Sequence, residues 1–377
     1  MIDGVCDDAF AGVQDVFAEN LRSGQDDGAA VAVFVDGRCV VDLWGGVADA
    51  RSGRPWVRDT ACVTFSATKA LTAAAALLLA ERGRLAVSDR VADHWPEFGA
   101  CGKDAITVEQ LLTHQAGLPA FARPIGLDEA ADADAMAEQL AGQAPEWEPG
   151  SAHGYHALTF GWLVGEVVRR VSGRPVQEVI AEEFGPDLWL GVRPARLPEL
   201  ARIAAGRPLR APDPLADEPT VIRLVAATSD PDSPLLRSTA NPSGSFNRPE
   251  LLTAGWPAAG LVCTARALAD FYRRLVDGTL LSRGTVKEAI RERVRGPDRT
   301  LVIDSAFGLG FMRPSASMWL PPAARPSAFG HPGASGALGL GDLEAGVALA
   351  YVPNLTHPAL GDRRAYRLVE AVYAALG

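Results

Sequence analysis

Ser66 and Lys69 stand three residues apart at the head of an apolar run. The stretch reads Phe65-Ser66-Ala67-Thr68-Lys69, followed by Ala70 to Ala80, nearly all alanine and leucine. On a helix, positions three apart share a face, so this spacing brings the Lys69 amine within reach of the Ser66 hydroxyl. A hydroxyl is a weak nucleophile until a neighbouring base takes its proton. Lysine becomes such a base when burial disfavours its charged form. Composition sharpens the signal: of 36 basic residues only Lys69, Lys103 and Lys287 are lysine. The rest are arginine, which keeps its proton in a protein. The plain alternative is a surface lysine on the first turn of a core helix.

Two more clusters carry residues suited to the same chemistry. Trp147 to Ala157 is a glycine-flanked turn holding Tyr155, His153 and His156. A tyrosine there can relay a proton between Ser66 and a leaving group; alternatively it packs at a loop edge. Phe329-Gly330-His331-Pro332-Gly333-Ala334-Ser335-Gly336 is a strand of small residues. Such a strand lets a substrate approach the backbone, and an N–H on it can stabilise a developing oxyanion. Otherwise its glycines serve close packing or a bulge.

The elements that must position these clusters follow from periodicity. Phe10, Val13, Phe17 and Leu21 predict an opening amphipathic helix over Asp8 to Leu21. Ala29 to Val35, Asp36-Gly37 and Cys39 to Trp44 predict a hairpin closed by Gly45-Gly46. The run after Ser66 is too short for a bilayer, which needs roughly 20 residues, and reads as a core helix. Thr107 and Gln110 predict a capping box, and the helix they start ends near Thr113 to Gly117. Helices are also expected over Leu158 to Val171, Val176 to Phe184, after Thr264, and around Leu368 to Leu376. Gly191 to Pro249 breaks the pattern and reads as irregular, either a lid or a surface insertion. Strands are expected at Phe307 to Met312, Ala328 to His331 and Val347 to Val352.

This order predicts an α/β (α+β) fold: one antiparallel sheet built from both chain ends, flanked by terminal helices, with an all-helical domain inserted. The expected division is an α/β domain over 1–62 and 280–377 and a helical domain over 63–279. Its irregular insertion lies near 191–249, and the active site lies between the two domains.

The 377 residues suffice for a substantial core. A net charge of −10 without a basic tract argues against nucleic acid or an anionic membrane as partner. Cys6, Cys39, Cys62, Cys101 and Cys263 are scattered and suggest neither a zinc site nor a disulfide framework. The acidic start lacks a basic-then-apolar leader pattern, so the cytoplasm is the expected location. Gly-x-Ser-x-Gly, His-Glu-x-x-His and Gly-x-Gly-x-x-Gly are absent. His94, His114 and His357 read as structural or solvated.

Taken together, the clusters resemble the serine β-lactamase and penicillin-binding-protein superfamily, in particular its class C-like branch of family VIII carboxylesterases. The resemblance rests on Ser66-Ala67-Thr68-Lys69, Leu111 to Pro119, Trp147 to Gly161, Gly260 to Phe271 and Gly330-His331-Pro332-Gly333. It implies that Ser66 is the acylated nucleophile, Lys69 the amine that activates it, and Tyr155 the general base and proton shuttle. It implies an oxyanion hole from the N–H groups of Ser66 and Ala334, with Gly333 and His331 on the strand. His156 is expected to line the pocket. No metal or cofactor is implied. The departures are informative. Ala157 stands where β-lactamases of this type carry asparagine, and His331 where they carry lysine. Both weaken recognition of an anionic lactam. The expected activity is hydrolysis of small carboxylic esters. An acyltransferase of the same fold is the alternative, and a β-lactamase or D-peptidase a weaker one. The substrate is a small acyl ester, and the oligomeric state is left open.

Overall fold

The computed structural model describes residues 2–206, 218–357 and 362–377. Its strands and helices used below are β1 (Ile2–Cys6), α1 (Ala11–Arg22), β2 (Gly28–Val35), β3 (Arg38–Asp49), β4 (Cys62–Val63), α2 (Thr68–Glu81), α3 (Val108–Leu112) and α4 (Thr159–Ser172). There follow β5 (Leu188–Leu190), α5 (Glu218–Ser229), α6 (Pro234–Ala240), β6 (Leu261–Cys263), α7 (Ala265–Val276) and β7 (Asp304–Phe307). The chain closes with β8 (Ala328–Pro332), β9 (Leu338–Asp342), β10 (Val347–Pro353) and α8 (Arg364–Leu376).

The main sheet runs β1-β3-β2-β10-β9-β8, and each neighbouring pair is antiparallel. Asp36 and Gly37 have φ of 48° and 79°, the left-handed values that the tight β2–β3 turn requires. Alternation along the strands sorts the core. Val347, Leu349 and Tyr351 face α1 and α8 together with Val31 and Val33. Ala348, Ala350 and Val352 face the other way with Ala30 and Ala32, toward α7. Alanine on that face lets α7 pack close.

α2 is buried from Thr68 to Leu79. Each of its buried leucines contributes about 2 kcal/mol by removing apolar surface from water. Its alanines admit close neighbours: a Cβ on Gly310 would collide with that of Ala73. The predicted capping box at Thr107 and Gln110 forms at the start of α3.

Several expectations need revision. β3 does not stop at Gly45-Gly46 but continues to Asp49, where it pairs with Arg54–Pro55. The strand expected over Phe307 to Met312 is displaced to Asp304–Phe307. Beyond it, Gly310 (φ 77°) turns the chain to lie on α2 and its N–H reaches the Leu112 carbonyl at 2.9 Å. β9 was not expected. Its glycines hide the alternation, because Gly339 packs on Tyr272 and Gly341 on Phe329. The segment from Gly191 to Pro249 is not wholly irregular: it contains α5 and α6. Residues 207–217 of it lie outside the described residues. Among the described residues no helix is long and apolar enough to cross a membrane.

Candidate active site

Ser66 sits on a short 3-10 turn, Phe65–Ala67, that leads into α2. Phe65 has φ of 49°, a left-handed value costly for a residue with a side chain. Thr68 holds the turn: its hydroxyl donates to the Phe65 carbonyl at 2.5 Å and accepts from Leu261 N–H at 3.0 Å. As the second residue of the turn, Ser66 offers an N–H of the kind that a helix start leaves without an internal partner.

Lys69 is fully buried one turn along. Its Nζ lies 3.2 Å from Ser66 Oγ, 2.6 Å from the Ala157 carbonyl and 3.0 Å from the Ala258 carbonyl. Burial holds this amine well below the ordinary lysine range. A neutral amine has two N–H groups and one lone pair. In that form the two carbonyls can take the N–H groups, which leaves the lone pair for the Ser66 hydroxyl.

Tyr155 lies on the other side. Its ring centroid is 4.8 Å from Lys69 Nζ, and its hydroxyl is close enough to Ser66 to feel it electrostatically. Burial pushes this phenol above its usual range, so it is neutral. Its loop is fixed by Asp298, whose Oδ1 accepts from the N–H groups of Tyr155 (3.0 Å), Thr300 (2.8 Å) and Leu301 (2.8 Å). Ser305 donates to Asp298 Oδ2 at 2.7 Å and accepts from His153 Nε2 at 3.0 Å. His153 is therefore part of the loop's support.

His156 is placed differently from the expectation. Its Nδ1 donates to the Gly154 carbonyl at 2.6 Å, and its Nε2 accepts from Leu118 N–H at 3.0 Å. Burial pushes it down to about 4. With both nitrogens engaged by backbone and the ring covered, it shapes the loop instead of facing a substrate. His114 supports it, accepting from His156 N–H at 3.1 Å while its ring packs 5.1 Å from that of Tyr155. Asp298 and His114 escaped the sequence reading as supports for Tyr155. Asp298 follows a proline in an unremarkable loop, and nothing in its neighbours marks it.

The end of β8 completes the cleft. A Cβ on Gly333 would run into the Thr64 carbonyl, so only glycine lets this strand meet the Ser66 turn. Ala334 N–H donates to no group among the described residues. His331 donates from Nδ1 to the Pro332 carbonyl at 2.7 Å, which leaves Nε2 as an acceptor, buried without a partner among the described residues. Burial pushes His331 down to about 3. It is neutral at physiological pH. The ring of Phe246, from the segment after α6, meets Phe65 edge-on at 5.0 Å and Trp256 at 5.7 Å. This brings an aromatic wall beside the residue that precedes Ser66.

Comparison with known proteins shows the family and the fold. The family profile described as Beta-lactamase matches residues 13–374. Esterase/beta-lactamase LipL of Mycobacterium tuberculosis is 36% identical over 366 residues, covering 93% of this chain and 82% of that protein. The crystal structure of a penicillin-binding protein homolog from Caulobacter crescentus superposes with a TM-score of 0.86 at 38% identity, over 100% of both chains. That of a family VIII carboxylesterase gives a TM-score of 0.87 at 33% identity, again over 100% of both.

Proposed function

This chain belongs to the Beta-lactamase family, and from that premise we propose that it is a serine esterase that cleaves small carboxylic esters through an acyl-enzyme on Ser66. The observation that carries the reading is the environment of Lys69. Its Nζ meets three oxygens, the carbonyls of Ala157 and Ala258 and Ser66 Oγ, so that once the amine is neutral the carbonyls can take its two N–H groups and leave its lone pair for the Ser66 proton.

In acylation, Lys69 takes the Ser66 proton as Oγ attacks the ester carbonyl. The N–H groups of Ser66 and Ala334 receive the oxyanion, usually the largest electrostatic contribution to acyl transfer. The C–O bond to the alcohol then breaks. Tyr155, neutral and beside Ser66, passes a proton to the departing alkoxide and is refilled from Lys69. In deacylation, water gives its proton to Lys69 and attacks the acyl carbonyl; as the tetrahedral intermediate collapses, that proton passes from Lys69 to Ser66 Oγ, and the acid is released with Ser66 regenerated. The resemblance assigned the base to Tyr155. Burial divides the roles: it favours neutral Lys69 and disfavours a phenolate, so Lys69 is the base and Tyr155 the shuttle.

The ester preference is supported by what the cleft lacks. Neutral His331 and the methyl of Ala157 offer no positive charge and no amide to an anionic lactam. The name of a structural relative points the same way, a family VIII carboxylesterase, while LipL is called an esterase/beta-lactamase.

The test is hydrolysis of p-nitrophenyl butyrate beside a Ser66→Ala control. Turnover that vanishes in the control is expected. A single burst of nitrophenol without turnover would mean that water cannot finish the reaction, as in an acyltransferase awaiting its acceptor. Neither burst nor turnover from folded protein would overturn the small-ester reading.

A further inference from the structure

An oxyanion donor works only if its backbone is held still. The turn that carries Ala334 closes on itself, with Gly333 N–H to the Ala337 carbonyl at 2.7 Å and Gly336 N–H to the Gly333 carbonyl at 2.9 Å. Those bonds fix its shape and not its place. What seats it is Arg364, the first residue of α8, which is fully buried. Arg364 Nη2 donates to the Ser335 carbonyl at 2.8 Å and to the Leu355 carbonyl at 3.0 Å. Nη1 donates to the Gln25 carbonyl at 3.1 Å. Asp362 takes Nε at 2.9 Å and Nη2 at 2.7 Å. Asp26 pairs with Nη1 and also accepts from the Tyr351 hydroxyl. A Cβ on Gly336 would strike both Arg364 Nη2 and Asp362 Oδ2, so the turn rests directly on the ion pair.

We propose that Arg364 is a positioning residue for the oxyanion donor, acting through the Ser335 carbonyl to fix the peptide of Ala334. The inference rests on the esterase reading for its catalytic meaning. Arg364 touches no reacting atom. A buried ion pair is weak evidence for stability, because apolar packing of the same volume often does as well. A planar fork of five donors, by contrast, can hold three separate backbone carbonyls in one plane. Those carbonyls come from the loop before β2, from the chain just after β10, and from the turn itself. The guanidinium thus ties both chain ends to the strand that meets Ser66.

The experiment uses two variants of the full chain. Arg364→Lys keeps the charge and loses the fork. Asp362→Asn keeps Arg364 and loosens its orientation. Folded active sites are counted by fluorophosphonate labelling of Ser66 taken to completion. Per labelled site, kcat for p-nitrophenyl butyrate is expected to fall about 10- to 100-fold with KM nearly unchanged, somewhat less than the loss of a whole oxyanion donor. Affinity for a trifluoromethyl ketone, which Ser66 converts to a hemiketal oxyanion, should fall in parallel. Amide hydrogen exchange across 333–337 should quicken. Variants with normal kcat per site and unchanged exchange in the turn would overturn the proposal. So would a loss of activity matched wholly by loss of labelled sites, the signature of a merely structural role. A wild-type protein that hydrolyses no ester, beside variants whose turn still loosens, would sink the esterase reading and leave Arg364 as the anchor of the turn.

Discussion

Lys69 Nζ lies 2.6 Å from the carbonyl oxygen of Ala157, two residues past Tyr155. One hydrogen bond thus ties Lys69 on α2 to the loop that carries the Tyr155 phenol. The same amine reaches the Ala258 carbonyl at 3.0 Å, and Thr72 donates to the Pro257 carbonyl at 2.5 Å one turn on. In the proposed reaction this lysine is therefore both reagent and fastener.

Lys69→Arg keeps a long basic side chain but cannot yield a neutral base. It also places a guanidinium against two carbonyls with no lone pair for Ser66. The expected loss in kcat/KM is roughly 10²-fold or more, the scale of general base catalysis. Steady-state kinetics with p-nitrophenyl butyrate check it. A near-normal rate would remove Lys69 from proton transfer.

The pH profile separates the two candidate bases. Lys69 works when deprotonated, and burial holds its pKa down. The rate should therefore rise with pH through one ascending limb as the amine loses its proton. His331 and His156, held at about 3 and about 4, should contribute no limb near neutrality. Tyr155→Phe should lower the rate by roughly 10²-fold yet keep that limb. Disappearance of the limb in Tyr155→Phe would return the base role to the phenol.

Acid should destabilise the protein through its buried imidazoles. His114, His156 and His331 are all held below the ordinary histidine value by burial. Above pH ~6.5 they are neutral in both folded and unfolded chains and cost nothing. As pH falls below that value the unfolded chain takes up protons that the folded one refuses. The stability present above it is lost progressively down to the folded values of about 4 and about 3. With three such groups the slope near pH ~5 is about 4 kcal/mol per pH unit. Denaturant melts between pH 7 and pH 5 measure it; a flat profile would mean that these rings are protonated in the folded state.

Asp298→Ala should strip the support from the Tyr155 loop. Three backbone N–H groups and the Ser305 hydroxyl lose their acceptor. A loss of ~3 kcal/mol is expected, the scale for hydrogen bonds to a buried charge. The rate per folded site should also fall, because Tyr155 N–H is among the four. Melts together with kcat per labelled site check it, and an unchanged kcat would show that the other contacts hold Tyr155 alone.

Much of the site was legible because its parts are local. Ser66 and Lys69 lie one helical turn apart, and their reach follows from the helix repeat. Thr107 and Gln110 cap a helix by a pattern spanning four residues. The hairpin at Asp36-Gly37 needs only positive φ. The resemblance assembled the three clusters, and the sheet order agrees with a fold built from both chain ends. β9 was hidden because Gly339 and Gly341 answer to Tyr272 and Phe329 across the core, contacts that leave no periodic trace.

What the sequence by itself determined is the chemistry on offer: a serine, a lysine at helical spacing, a tyrosine turn and a glycine-rich strand. What only the tertiary structure decided is the state of each group. Burial holds the Lys69 amine well below its ordinary range, keeps Tyr155 protonated and His331 uncharged, and burial depends on every element packed around them. It also turned His156 from a pocket candidate into a loop brace, since both its nitrogens meet backbone atoms. Arg364 reads in sequence as one arginine among many. Its role comes from the convergence of Gln25, Ser335 and Leu355 on one guanidinium, brought together from distant parts of the chain by the closure of the sheet.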